Sequence, residues 1–528
     1  MLSSLPPTGM PKRPPRVPRP APVPRVDSPR LATLARRLEA CGQEAAGAEG
    51  AAAEAVAEFW REVAAVGAPL IEQDPQGDPE HAVVTFVWRG SQDTRAVLVL
   101  PNKVIDPREP DRNLMDRLPG TDIWHWSVRM RRDWRATYAL CVDEPDAEQA
   151  PPPAASHRGG PPPAGGRPAP ADAAGPADPG YIAWLRGQGR PDPLNPRALP
   201  RRWGGAQQSV VRLPLAPSEA DWQVRDGIPR GAVSSHPVRS AALGTERRVW
   251  VYTPAGRPAA GAAPGPDAAP GAGARADLPV LVLFDGEMWQ PELGVATLLD
   301  NLIADGRLPP LIALLPDSLD SDTRWSELAC NDRFVRFLSD ELLPWAAARW
   351  PVTDDPARTV LAGQSLGGLM AAYAAVRAPH RFGNALAQSG SFWWPDGPQG
   401  QWLTSLLEAA PEHPAHPVRF WLSAGEQEWV LLPANRRLPA VLRTKGYEAE
   451  YREFNGGHDY LCWRTELADG LTALLAECIA APAAGQAAAP AAGYTAAPAA
   501  GYTAAPAAGG TSGATAGRAD APVSPPAG

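Results

Sequence analysis

The pentapeptide Gly363-Gln364-Ser365-Leu366-Gly367 restricts the possible folds of this chain more than any other stretch. An apolar run, Val360-Leu361-Ala362, leads into it, and small residues follow where a helix would begin. That is the sequence of a strand, a sharp turn and a helix. A serine at such a turn sits in strained backbone, and its neighbours must be nearly free of side chain for strand and helix to close on each other. Ser365 is therefore the candidate nucleophile, and the Leu366 N–H a candidate oxyanion donor. In a chain with 49 glycines the same five residues also fit an ordinary glycine turn, so their surroundings have to carry the assignment.

The surroundings alternate. Strand patterns at Arg248–Tyr252, Leu278–Phe284, Leu311–Leu315, Thr359–Leu361, Asn384–Gln388, Val418–Ser423 and Glu448–Phe454 are separated by helical patterns at Asn331–Trp345, Leu369–Ala378, Trp402–Ala410 and Pro433–Lys445, with a last helix from about Trp463. Such alternation predicts an α/β domain with a doubly wound, mostly parallel sheet, in which working residues gather at the carboxyl ends of strands.

Upstream the pattern changes. After an alanine-rich helical region at 31–71, short β-branched and aromatic runs at His81–Arg89, Arg95–Leu100, Asp122–Val128 and Arg135–Val142 predict a small all-β antiparallel sandwich. Trp124 and Trp126, at period two, share one face, and packing is the weightier reading for both. The chain holds 64 prolines, too many for compact folds, so they must concentrate between and outside domains. The expected organisation is a basic, proline-rich, disordered tail at 1–30, a helix plus β-sandwich at 31–145, a Pro/Gly-rich linker at 146–215, the α/β domain at 216–481 with a disordered insert at about 255–276, and a disordered Ala/Pro/Gly tail at 482–528.

A net charge of −8 argues against nucleic acid as the main partner. No apolar run reaches the roughly 20 residues of a membrane span and the N-terminus lacks a signal-peptide core, so a cytoplasmic protein without membrane insertion is expected. Cys41, Cys141, Cys330, Cys462 and Cys478 lack CxxC spacing, and no HExxH or clustered ligand set suggests a bound metal; none is expected. Composition leaves the oligomeric state open.

Three loops at strand ends carry the residue types a serine hydrolase needs. His458, after Gly456-Gly457, can take the Ser365 proton and return it to a leaving alkoxide. The preceding strand ends in Gly425-Glu426-Gln427-Glu428, where Glu428, with Glu426 in reserve, is the expected orienting carboxylate; Asp459 is too close in sequence to His458. The loop Asp285-Gly286-Glu287 offers the Gly286 or Glu287 N–H as second oxyanion donor. Cys462 has no elbow and reads as packed.

Several motifs resemble enterochelin (enterobactin) esterases, an esterase-D-like branch of the α/β-hydrolases. They are Asp285-Gly-Glu-Met-Trp289, Arg324-Trp-Ser-Glu327-Leu-Ala-Cys-Asn331, Gln388-Ser-Gly-Ser-Phe-Trp-Trp-Pro395, Gly456-Gly-His-Asp-Tyr-Leu-Cys-Trp-Arg464 and, upstream, Gly120-Thr-Asp-Ile-Trp-His-Trp126 and Asp192-Pro-Leu-Asn-Pro196. The resemblance, over roughly residues 55–480, implies a serine esterase that cuts the trilactone of a ferric catecholate siderophore and needs no cofactor, iron arriving with the substrate. It makes Arg324, then Arg464, the expected cations for that anion, with Glu327 and Asn331 holding the Arg324 loop. Trp289, Trp393 and Trp394 become candidate walls for catechol rings, though packing is the weightier reading for each alone. A general carboxylesterase or acyltransferase of the same fold is the alternative.

Overall fold

A computed structural model describes residues 17, 19, 21–43, 48–104, 106, 108–144, 178–256, 277–397, 400–412, 414 and 416–480. The insert expected at 255–276 falls almost entirely, and the tail at 482–528 wholly, outside these residues, as do residues 1–16 of the N-terminal tail.

Two antiparallel sheets form the first half. One orders strands as β1 (Leu70–Gln73), β2 (His81–Arg89), β5 (Ile123–Arg131) and β4 (Asp116–Arg117). The other orders them as β3 (Ala96–Pro101), β6 (Arg135–Asp143), β9 (Gln208–Arg212) and β8 (Ala198–Leu199), with β7 (Gly189–Arg190) also on β6. Alternate residues face inward: Val84, Phe86, Trp124, Trp126 and Val128 from the first sheet meet Val97, Val99, Tyr138, Leu140 and Val211 from the second. Helices α1 (Pro29–Gln43) and α2 (Ala48–Val66) cover the first sheet through Phe59, Trp60 and Val63 packed with Leu70, Val87 and Ile123. Helix α3 (Pro179–Arg186) packs Ile182 and Leu185 on Leu98 and Cys141 of the second.

Two expectations are corrected here. The described part of the expected linker, 178–215, supplies α3 and strands β7 to β9, so it is sandwich rather than connection. The described part of the expected solvated tail runs along the sandwich: Arg25 bridges to Val128, and Arg19 reaches Gln427 of the other half at 2.5 Å.

The second half is an eight-stranded sheet in the order β10 (Ala232–Ser240), β11 (Thr245–Thr253), β13 (Ile312–Pro316), β12 (Val280–Leu283), β14 (Thr359–Gln364), β15 (Asn384–Gln388), β16 (Arg419–Gly425) and β17 (Glu448–Phe454). Strands β12 to β17 are mutually parallel, while β10 and β11 are antiparallel additions. Helices α4 (Val295–Ala304), α5 (Ser321–Leu328), α6 (Asp332–Arg336), α7 (Leu343–Ala347), α8 (Leu366–Arg377), α9 (Trp402–Ala409), α10 (Leu432–Thr444), α11 (Tyr460–Leu474) and α12 (Ala476–Ala480) complete it. The helix expected over 331–345 is split, a π-helical stretch at Phe337–Leu342 joining α6 to α7. Val280, Val282 and Leu361 pack on the layer that includes α6 and α8, whereas Leu281, Leu283 and Ala362 pack on α4 and α11.

From β12 the chain crosses to β13 on one side and returns to β14 on the other. That reversal opens a crevice at the carboxyl ends of β12 and β14, the place such sheets use for ligands. Strand β11 ends and strand β12 begins at the opposite edge of the sheet, both beside the start of β13.

Candidate active site

Ser365 stands between the last residue of β14 and the first of α8 with φ 59° and ψ −118°, a conformation that costs a non-glycine residue energy. The turn is tight enough that a β-carbon on Gly363 would lie 2.5 Å from the Gly367 carbonyl carbon, which accounts for the first glycine of the pentapeptide; a β-carbon on Gly367 would meet Phe284 only at 3.6 Å. The Ser365 N–H donates to Gln388 O at 3.0 Å, the Ser365 carbonyl accepts from Ser391 N–H at 2.9 Å, and the two hydroxyl oxygens are 3.3 Å apart. Leu366 opens α8, so its N–H belongs to the first helical turn, where backbone donors lack intrahelical acceptors.

His458, after β17, places Nδ1 2.6 Å from Glu428 Oε2. Glu428, after β16, is fully buried, and its Oε1 accepts from the Ser389 hydroxyl at 2.5 Å and from Gly425 N–H at 2.9 Å. Burial pushes this carboxyl up, but the charge and hydrogen bond of His458, the Ser389 hydroxyl and the charge of Lys103 outweigh it, so Glu428 is held below its ordinary value. It is therefore an anion at neutral pH, able to fix one imidazole tautomer and stabilise the imidazolium. Glu426, by contrast, pairs with Arg131 at 3.0 Å. Asp459 caps α11 through Leu461 N–H and accepts from Thr137 N–H at 2.6 Å. Cys462 is buried, its thiol is pushed up by burial, and it lies 3.7 Å from Arg135 O.

The loop after β12 sits in the crevice. Asp285 takes φ 62° and is fully buried, its carboxylate gripped by Arg324 at 2.6 and 2.8 Å, by Arg202 at 2.6 Å and by the Ser318 hydroxyl at 2.7 Å. Burial raises this carboxyl's pKa, and the two guanidinium groups more than reverse that, holding it well below the usual range. Glu287 accepts from Ser318 N–H at 3.0 Å and lies 3.6 Å from Arg202, yet burial pushes it up to about 7. Gly286, between them, is held at both ends, which is how a backbone donor is pre-organised.

This geometry corrects the reading of the cations and aromatics. Arg324, 4% exposed, also donates to Gln364 O at 3.2 Å; it braces the loop and is not open to a ligand. Arg464 pairs with Glu219 at 3.1 Å and lies over the Trp222 ring. Trp289 is fully buried and donates to Gln364 Oε1 at 2.9 Å, and Trp393 and Trp394 belong to the hydrophobic core rather than to an open wall. Glu327 and Asn331 do sit where bracing residues would: Glu327 is bidentate with buried Arg247 at 2.6 and 2.8 Å, and Asn331 caps α6 while donating to Ser326 O at 3.0 Å.

Sequence reasoning assigned no role to several residues that shape the site. Ser389 fixes Glu428 and accepts from Trp463 Nε1 at 2.9 Å, and the Trp463 ring meets His458 edge-on at 4.7 Å. A buried amide relay runs from Trp289 through Gln364 and Gln388 to the Trp463 carbonyl, tying the β12 loop to β14, β15 and α11. Polar residues at the ends of otherwise apolar strands were the signal. The sandwich contributes Asn102, whose amide donates to His458 O at 3.0 Å. Gly457 has to be glycine for that approach, since a β-carbon there would lie 2.5 Å from Asn102 Oδ1.

Among the described residues no cluster of His, Cys, Asp and Glu could hold a metal ion, and no helix is long and apolar enough to cross a membrane. The described cysteines are free thiols.

Residues 240–474 match the family described as "Putative esterase", and residues 83–222 match "Enterochelin esterase, N-terminal". The chain is 34% identical over 444 residues to the iron(III) enterobactin esterase of Dickeya dadantii (strain 3937), covering 79% of this chain and 92% of that protein. Among solved structures, ferric enterobactin esterase from Salmonella typhimurium superposes with a TM-score of 0.63 at 31% identity, over 80% of this chain and all of that one. The enterobactin esterase of Shigella flexneri, determined in the presence of enterobactin, gives 0.60 at 30% identity, over 80% of this chain and 98% of that one.

Proposed function

This chain belongs to the enterochelin esterase family, and we propose that it is a cytoplasmic serine hydrolase that opens the trilactone ester bonds of a ferric catecholate siderophore, so that weakened chelation releases the iron. The observation that carries the reading is the 2.6 Å contact of His458 with the buried carboxylate of Glu428, taken together with a serine held in strained elbow backbone at the end of β14.

In this mechanism Glu428 holds His458 with Nδ1 protonated, leaving Nε2 to accept the Ser365 proton. Ser365 Oγ attacks an ester carbonyl, and the oxyanion is met by Leu366 N–H and by a donor of the Gly286–Glu287 loop. His458 then protonates the departing alkoxide. A water activated by the same imidazole hydrolyses the acyl-enzyme and restores Ser365. The substrate reading is supported by the likeness, over both halves of the chain, to enzymes named for enterobactin.

The test is the product profile of purified protein on ferric enterobactin, with labelling by a serine-directed fluorophosphonate in parallel. Trilactone opening and labelling that both vanish in Ser365→Ala carry the reading. Hydrolysis of simple aryl esters with the siderophore left intact would point instead to a general carboxylesterase of the same fold.

A further inference from the structure

A ferric tris-catecholate is a trianion, and a protein of net charge −8 must meet it with a locally placed cation. The motif arginines are committed elsewhere, Arg324 to Asp285 and Arg464 to Glu219. So are the arginines around the His458 loop. Arg131 pairs with Asp133 and Glu426, Arg202 with Asp285, and Arg19 donates to Lys103 O and Gln427 Oε1 while lying over the Trp429 ring.

Lys103 differs from all of these. Among the described residues its ammonium forms no ion pair; burial lowers its pKa, and the charge of nearby Glu428 acts the other way and favours the ammonium. The oxygens of Glu428 are already taken by His458, Ser389 and Gly425, so that carboxylate does not draw the ammonium into a contact. The backbone presents Lys103 deliberately. It is the third residue of a turn closed by Val104 N–H on Pro101 O at 3.2 Å, and its φ is 60°, where glycine or asparagine is the cheaper choice. Its β-carbon packs against Gly457, one residue before His458: a β-carbon added to Gly457 would lie 2.9 Å from it. Asp285, Ser365 and Ser389 in the neighbouring loops also take positive φ, so the turn that holds Lys103 belongs to a strained neighbourhood of the kind found at ligand sites.

We propose that Lys103, carried by the β-sandwich, is the cation that recognises the negative charge of the substrate at the mouth of the active site. This rests on the ferric catecholate reading given above. It makes the sandwich a charge-selective part of the site, with the hydrolase half supplying the chemistry.

The probe is the ferric complex of a tripodal tris(catecholamide), a trianion with no ester to cleave. Its Kd for the full chain is read by quenching of tryptophan fluorescence over a range of salt. Lys103→Gln should weaken binding about tenfold at low ionic strength, Lys103→Glu more, and the salt dependence of Kd should flatten in both. Lys103→Arg should stay within about threefold of wild type. Equal affinity of Lys103→Gln and wild type, an Arg variant as weak as the Gln variant, or no binding by wild type would each overturn the assignment. Trilactone opening by wild type is followed separately by chromatography. Its absence alongside charge-dependent binding would overturn the ester reading and leave Lys103 in place.

Discussion

Asn102 of the β-sandwich donates its side-chain amide to the main-chain carbonyl of His458 at 3.0 Å. The imidazole that Glu428 orients from one side is therefore positioned from the other by a residue outside the α/β domain. Neighbouring contacts reinforce the link: Thr137 N–H to Asp459, Arg135 to Cys462 O at 3.1 Å, and Asn455 to Asp133 at 2.6 Å. Asn102→Ala should lower kcat about fivefold with less effect on KM, since one neutral hydrogen bond is worth about 1 kcal/mol. Steady-state kinetics on an aryl ester measure the split, and a change confined to KM would contradict it.

Ser365→Ala should reduce ester hydrolysis by about 10⁴-fold or more and abolish fluorophosphonate labelling, while the melting temperature stays the same or rises as elbow strain is relieved. Residual labelling at another serine would relocate the nucleophile.

Glu428→Gln keeps the shape of the site but removes the charge behind His458, so kcat should fall by about 10²–10⁴-fold. Glu426→Gln, which breaks only the contact with Arg131, should leave kcat within about threefold of wild type. Pre-steady-state acylation rates distinguish the two, and equal losses would mean that the wrong carboxylate has been placed behind the imidazole.

Gly457→Ala sets a methyl group against Asn102 Oδ1 and Lys103 Cβ. It should cost about 1–3 kcal/mol of stability and displace His458, lowering activity in the remaining folded protein. Chemical denaturation combined with active-site titration checks both halves of that statement.

Arg324→Met strands the buried Asp285 carboxylate with one fewer partner. Loss of one member of such a pair costs about 3–5 kcal/mol, so the protein should melt far earlier. A variant of normal stability that had merely lost affinity for anionic substrate would restore Arg324 to the binding role expected from its motif.

Glu287 gives a pH dependence with a definite sign. Its carboxyl titrates at about 7 in the folded protein, raised from an ordinary 4.5 chiefly by burial. The native state therefore holds this proton at pH values where the unfolded chain has released it. Its contribution to stability falls as pH rises from about 4.5 to about 7 and is level above that. Glu466, also raised to about 7 by burial, acts in the same direction, so the informative quantity is the melting temperature of Glu287→Gln minus that of wild type across this range. That difference should grow with pH, and a flat or falling difference would rule the assignment out.

The strand-end positions of Ser365, Glu428 and His458 were legible because each follows a strand whose apolar pattern is plain, and parallel strand order places all three on one edge. Arg324 was misread because sequence gives a cation's motif and not its burial; Asp285, which captures it, was read only as part of a backbone donor loop. Arg202 lay in a segment read as linker. Two of the three strands there, Gly189–Arg190 and Ala198–Leu199, have two residues each, too few for any periodicity to register, and the third, Gln208–Arg212, is only five residues long. Lys103 was invisible for a different reason: its meaning comes from a left-handed turn and a contact with Gly457, more than 300 residues away in the chain.

Strand β11 ends, and β12 begins, at the edge of the sheet that faces away from Ser365, His458 and Lys103. This makes the join a natural handle. A fluorophore, an affinity peptide or a whole guest domain spliced between Thr253 and Val280 would hang behind the catalytic face, and protein immobilised through that point would turn its reactive side outward, toward the solution that delivers its ligand.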